Sequence, residues 1–119
     1  MGGGASLILF ALDAAGLAKT TAFVTDGQLS GLCLKGLTVA EVSPEAATGG
    51  AIGKLRDGDL ITISVANRSI DFHASAEEMA GRAEAGFRVP ATGYLDTFRH
   101  TVRDMSTGGV LLPAKEVTR

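Results

Sequence analysis

TTAFVTDGQLSG, Thr20 to Gly31, changes character halfway along. Thr20 to Thr25 is rich in β-branched residues and predicts a strand. Asp26-Gly27 breaks it, and the segment to Gly31 becomes a short loop that leaves the Ser30 hydroxyl on irregular backbone. Loops positioned by a rigid strand are where reactive groups usually sit. Taken alone, the residues favour a plainer reading, a turn in which Asp26 and Ser30 bond nearby amides. A serine nucleophile or base needs an activating partner. The two histidines, His73 and His100, lie far along the chain, and no G-x-S-x-G elbow surrounds Ser30. A Ser-His-Asp hydrolase is therefore weakly supported.

Outward from this segment, sixteen glycines divide the chain into short elements. Before it, Ala5 to Leu17 predicts a first helix, with Leu9, Leu12 and Leu17 near helical spacing. After it, Leu37 to Val42 predicts a second strand. Ser43-Pro44-Glu45 then opens a short helix, with Ser43 as N-cap, Pro44 in the first turn and Gly49-Gly50 as the stop. Asp57-Gly58 signals a tight turn into Leu60 to Val65, where apolar and polar residues alternate. Asn67-Arg68 turns this strand back into Ser69 to His73 as a hairpin. Ser75 and Glu78 form a capping box for a helix over Ala76 to Ala85. Beyond Pro90, a last helix is expected from Thr92 to about Met105, with Leu95, Phe98, Val102 and Met105 on one face. Val110 to Leu112 reads as a final strand. Short strands interleaved with helices predict an α+β domain, a small β-barrel or sandwich flanked by helices.

With 119 residues, 45% of them hydrophobic and no Trp, the chain is expected to form one domain with an aliphatic core. Its 11 Lys and Arg against 13 Asp and Glu are scattered, so no basic stripe is available for a nucleic acid. The longest apolar run, Leu7 to Leu12, is far short of the roughly 18 residues that a membrane span needs. No charged n-region precedes it, so the expectation is a soluble cytoplasmic protein. The single cysteine, Cys33, excludes an intrachain disulfide and is too few for an iron–sulfur cluster, which takes several thiolates. Cys33 reads as a small buried hydrophobe. SPEAATGG, Ser43 to Gly50, could cradle a phosphate, but as a capped helix it needs no ligand. RDGD, Arg56 to Asp59, lacks the later glutamate of a calcium loop and reads as a turn. Glu77-Glu78 reads as a solvated helix face, and no set of residues makes a metal site.

In order, TDGQLSG, SPEAATGG, KLRDGDLITI and the SAEEMAGR helix resemble the C-terminal domain of the dihydroxy-acid / 6-phosphogluconate dehydratases. That family carries a TDGRxSG-like loop, a [ST]PEA segment followed by Gly-Gly, and an RDGD turn. The resemblance runs from about Ala14 to Arg82 and more loosely to the end, and corresponds to the last fifth or so of a family member. It implies a swivelling-type β/α domain of a hydro-lyase that converts a 2,3-dihydroxy or sugar acid to a 2-keto acid. It also implies Ser30 as the base that takes the C2 proton, with Asp26, Gly27 and Gly31 in the substrate-binding loop. An iron–sulfur cluster and Mg2+ are implied for the full enzyme, held by an N-terminal domain or subunit outside these residues. The isolated chain is accordingly expected to be inactive, and the assembled enzyme to be a homo-oligomer.

Three departures stand out. Gln28 occupies the family's usual arginine position, and Glu41 replaces a histidine often found before the [ST]PEA segment. Met1-Gly2-Gly3-Gly4 stands where a Gly-Met-Pro-Glu stretch would supply a metal ligand. Gln28 and Glu41 favour a non-catalytic binding or docking homologue as the alternative; the intact Asp26-Gly27 and Ser30-Gly31 favour the enzyme. The eleven residues between Gly31 and Ser43, with Lys35 among them, lean towards the 6-phosphogluconate branch. The SPEAATGGAIGKLRDGDLITISVANRSI text reads more like the dihydroxy-acid branch.

Overall fold

A computed structural model describes residues 3–33, 35–83 and 92–112. It begins with helix α1, Gly3–Ala14. The Leu17 N–H reaches the Leu12 carbonyl and the Gly16 N–H the Asp13 carbonyl. Gly16 takes the left-handed conformation (φ 73°) that this Schellman ending requires. The expected helix therefore stops three residues before Leu17.

Strand β1, Phe23–Val24, pairs with β2, Thr38–Val39, in parallel, Phe23 opposite Thr38 and Val24 opposite Val39. A parallel pair cannot be joined by a tight hairpin, because the chain has to travel back to the starting end before pairing. Residues 25–37 are that return path, and the TDGQLSG loop lies on it. Both strands are shorter than predicted: the Thr20 and Thr21 N–H groups turn back to the Leu17 carbonyl before β1, and beyond β2 the Glu41 N–H donates to the Gly27 carbonyl in the loop.

Two 3-10 turns follow, Ala46–Thr48 and Ala51–Lys54. The expected N-cap, Ser43, does not cap. The first turn begins two residues later, after Glu45, and the Ser43–Pro44 peptide is cis. Gly50 is buried between the turns with its N–H on the Glu45 carbonyl (2.9 Å). Its own torsions suit any residue (φ −60°, ψ 151°), but a Cβ there would overlap the Pro44 carbonyl oxygen. Gly50→Ala is expected to cost about 1–3 kcal/mol, the usual range for overpacking. Urea denaturation should read it as a lower midpoint at unchanged slope.

Strands β3, Ile61–Ser64, and β4, Ser69–Phe72, form the expected antiparallel hairpin, with Ile61 opposite Phe72 and Ser64 opposite Ser69. Helix α2, Ala76–Gly81, starts as predicted, the Ser75 hydroxyl accepting the Glu78 N–H (3.1 Å). The box is only half made, because the Glu78 carboxylate turns to Arg82. The helix ends at Gly81, since Arg82 takes extended torsions; the predicted end at Ala85, like Pro90, lies outside the described residues. Helix α3, Tyr94–Thr101, also stops early. Val102 leaves it to bridge Leu111 antiparallel, and Met105 belongs to a separate 3-10 turn. Of the four residues expected on one helix face, Leu95 and Phe98 stay in α3, Val102 joins the bridge and Met105 the 3-10 turn. The final strand reduces to that single bridge.

The described residues make an α+β arrangement of two separate two-stranded sheets, with no closed barrel among them. Val24, Val42, Ile52, Leu55, Ile61 and Phe72 surround an apolar space of about 170 Å³ between the hairpin and the 43–55 segment. Leu9, at 8% exposure, is the one buried large apolar side chain among those described. The hairpin is tied to α2 by Arg82, whose side chain is 7% exposed. Its guanidinium donates to both Asp59 oxygens (2.6 and 2.9 Å), to Glu78 and to the Lys54 carbonyl, and lies over the Phe72 ring.

Candidate functional site

The loop after β1 is fixed from both sides. The Thr25 N–H continues the ladder to the Val39 carbonyl, and the Thr25 hydroxyl accepts the Gly27 N–H (3.0 Å). Ser30 is held at three of its atoms. Its N–H donates to the Ser6 hydroxyl of α1 (3.1 Å), its carbonyl accepts the Cys33 N–H (3.0 Å), and its own Oγ accepts the Leu32 N–H (3.3 Å). Ser6 is 4% exposed, so this anchor is dry. Ser30 is half-buried, and a Cβ added at the neighbouring Gly31 would meet nothing, so the loop faces open space there.

Asp26 points to the other side of the loop, where its carboxylate accepts the Ala46 N–H (2.9 Å) and caps the first 3-10 turn in place of Ser43. The Ser43 hydroxyl instead donates to Asp104, and the Glu45 carboxylate accepts the Met105 N–H (2.9 Å). The segment 43–46 thus joins the serine loop to residues 104–105. Donors from Ser106 and Ser43 hold the Asp104 carboxyl well below its ordinary value of 3.8. A depressed carboxylate contributes stability that is present above the unfolded value and is lost as pH falls below it. Acid titration of the fold should therefore show stability falling from about pH 4 downward. Asp104→Asn should be less stable at neutral pH and lose less on acidification.

The outer side of α1 and the loop is apolar. Leu7, Phe10 and Leu32 are 68%, 50% and 75% exposed. Cys33, expected to be buried, is half-buried and lines a shallow space of about 190 Å³ with Leu9, Phe10, Leu32 and the Asp13–Lys35 ion pair.

The remaining candidates have structural partners. His73 Nε2 shares a hydrogen bond with the Thr62 hydroxyl, and His100 Nδ1 lies 2.7 Å from the Asp96 carbonyl. In the RDGD turn, Asp59 accepts the Arg56 N–H (2.7 Å) as well as Arg82. Among the described residues no group of three or more His, Cys, Asp or Glu could hold a metal ion. With one thiol in the chain, the donor set does not fit the implied cluster. Ser6, Arg82 and Asp104 escaped the sequence reading. Ser6 left one trace there, a polar residue three before Leu9 and so on the same helix face.

The serine loop is carried on a parallel crossover, faces open space at Gly31 and follows a helix with exposed apolar side chains. The chain belongs to the dihydroxy-acid/6-phosphogluconate dehydratase C-terminal family, which matches residues 6–109. Over 100 residues it is 45% identical to a dihydroxy-acid dehydratase of Anaeromyxobacter dehalogenans strain 2CP-C, covering 81% of this chain and 18% of that protein. It is 44% identical to the dihydroxy-acid dehydratase of strain 2CP-1 / ATCC BAA-258 over the same length and shares. The chain thus spans less than a fifth of the length of these curated relatives. No helix among the described residues is long and apolar enough to cross a membrane.

Proposed function

We propose that this chain is the catalytic-base half of a hydro-lyase acting on 2,3-dihydroxy acids, inactive until it meets the cluster-bearing domain. The observation that carries the reading is Ser30, pinned at three atoms on a loop that faces outward. In the proposed step Ser30 Oγ takes the C2 proton. The C–H electron pair becomes the C2=C3 double bond, and the C3 hydroxyl departs as hydroxide. Hydroxide and the proton on Ser30 make the released water, and the enol tautomerises to the 2-keto acid.

A serine keeps its proton at neutral pH unless positive potential stabilises the alkoxide. The Leu32 N–H, aimed at Oγ, supplies one donor of that kind. The rest, with whatever receives the hydroxide, belongs to the partner domain in this reading. Phe10 and Leu32 meet beside the loop and, with the exposed Leu7 of α1, suit burial against that domain. The small barrel or sandwich of the family resemblance belongs to the same assembled state.

The two relatives bear the dihydroxy-acid name, which favours that branch over a sugar acid such as 6-phosphogluconate as substrate. Comparing kcat/KM of the assembled enzyme on 2,3-dihydroxyisovalerate and 6-phosphogluconate tests this. Preference for the first supports the reading, and preference for the second moves the enzyme to the other branch.

A further inference from the structure

We infer that Ser6 is a positioning residue for the Ser30 base, an inference that rests on the proposed role of Ser30. Ser6 stands 24 residues before Ser30, on the inner face of α1, and its hydroxyl oxygen is the acceptor for the Ser30 N–H. The three anchors of Ser30 are unequal in kind. Those on its carbonyl and Oγ come from Cys33 and Leu32, members of the same local turn, and move with it. Only the Ser6 contact ties the serine to a separate element. It is also the driest of the three, since Ser6 is 4% exposed while Leu32 is 75% exposed.

An amide anchored to a buried acceptor fixes the nitrogen of Ser30, and with it the direction of Cα–Cβ and the place of Oγ. Proton abstraction is steep in that place, and a displacement of about 1 Å costs on the order of a hundredfold in rate. Alanine at position 6 keeps the helix, being the best helix former, and removes the acceptor of the Ser30 N–H. The loop then retains its local turn but loses its fixed distance from α1.

The test is Ser6→Ala and Ser6→Thr in the assembled dehydratase, beside Ser30→Ala, with thermal melts and folded fraction measured for each. Ser6→Ala is expected to lower kcat by about tenfold to a hundredfold, with KM changed less than about twofold. The primary isotope effect with C2-deuterated substrate should rise, because the proton step becomes slower relative to the others. Ser6→Thr, which keeps an oxygen at that place, should recover most of kcat. Unchanged kcat per folded molecule in Ser6→Ala, with Ser30→Ala inactive, would overturn the role of Ser6 and leave the base standing. Equal losses in Ser6→Ala and Ser6→Thr, or losses that only track the folded fraction, would overturn it too. Near-normal turnover in Ser30→Ala would remove the base itself, and the inference with it.

Discussion

Ser30→Ala in the assembled dehydratase is expected to lower turnover by about three orders of magnitude, within the range general-base catalysis contributes, and to leave the fold unchanged. Two of the three bonds that hold this residue use its backbone, the N–H to Ser6 and the carbonyl to Cys33, and alanine keeps both. The lost bond is the one from the Leu32 N–H, and Leu32 is exposed, so water replaces the serine oxygen there. Circular dichroism and melting temperature should match the parent, while release of the C2 proton from deuterated or tritiated substrate should nearly vanish. Turnover within a factor of a few of the parent would exclude Ser30 as the base. Lost turnover accompanied by a lower melting temperature would point to a damaged loop instead.

Arg82→Met should be the most destabilising single change among the described residues. Arg82 gathers a turn, a helix and the end of a 3-10 segment through four hydrogen bonds, with its side chain 7% exposed. Asp59, at 14% exposure, is left as a sheltered carboxylate without its cation once Arg82 is gone. Its pKa is lowered in the native fold chiefly by the Arg82 hydrogen bonds and then by the Arg56 N–H, so the native state relies on its charge being met. Removing one partner of a sheltered pair is far costlier than replacing both. The melting temperature is expected to fall by on the order of 10 °C. Arg82→Lys should recover little of it, because one ammonium cannot serve both Asp59 oxygens as the planar fork does. Arg82→Met combined with Asp59→Asn should be less harmful than the sum of the two changes. Full stability in Arg82→Lys would show that charge alone, without the fork, holds the turn to the helix.

Local chemistry made some of this legible beforehand. The β3–β4 hairpin followed from alternation and from turn residues at both ends, and the start of α2 followed from Ser75. The end of α1 did not, because Gly16 acts through torsion while the apolar spacing runs on to Leu17. The ends of α2 and α3 were hidden for another reason. Arg82 and Val102 leave their helices for partners at Asp59 and Leu111, and helical spacing carries no record of such distant pairings. The parallel pairing of β1 with β2 is of the same kind, since a strand's composition does not name its neighbour.

The site divides in a similar way. The loop and its serine stood out as punctuation after a strand, and the family resemblance gave Ser30 its role. What fixes the loop could not be seen in the same residues. Asp26 reaches Ala46, Glu45 reaches Met105 and Ser30 reaches Ser6, contacts 20, 60 and 24 residues apart. The exposure of Leu7, Phe10 and Leu32 was also hidden, since an apolar run in a sequence reads as core whether its cover lies in the same domain or another.

The most direct test of the account is to assay 2,3-dihydroxyisovalerate dehydration anaerobically with the chain alone and with it joined to the N-terminal part of a dihydroxy-acid dehydratase. The account predicts no turnover from the chain alone and turnover from the joined protein that disappears with Ser30→Ala. Turnover by the chain alone, or turnover in the joined protein that survives loss of Ser30, would contradict it.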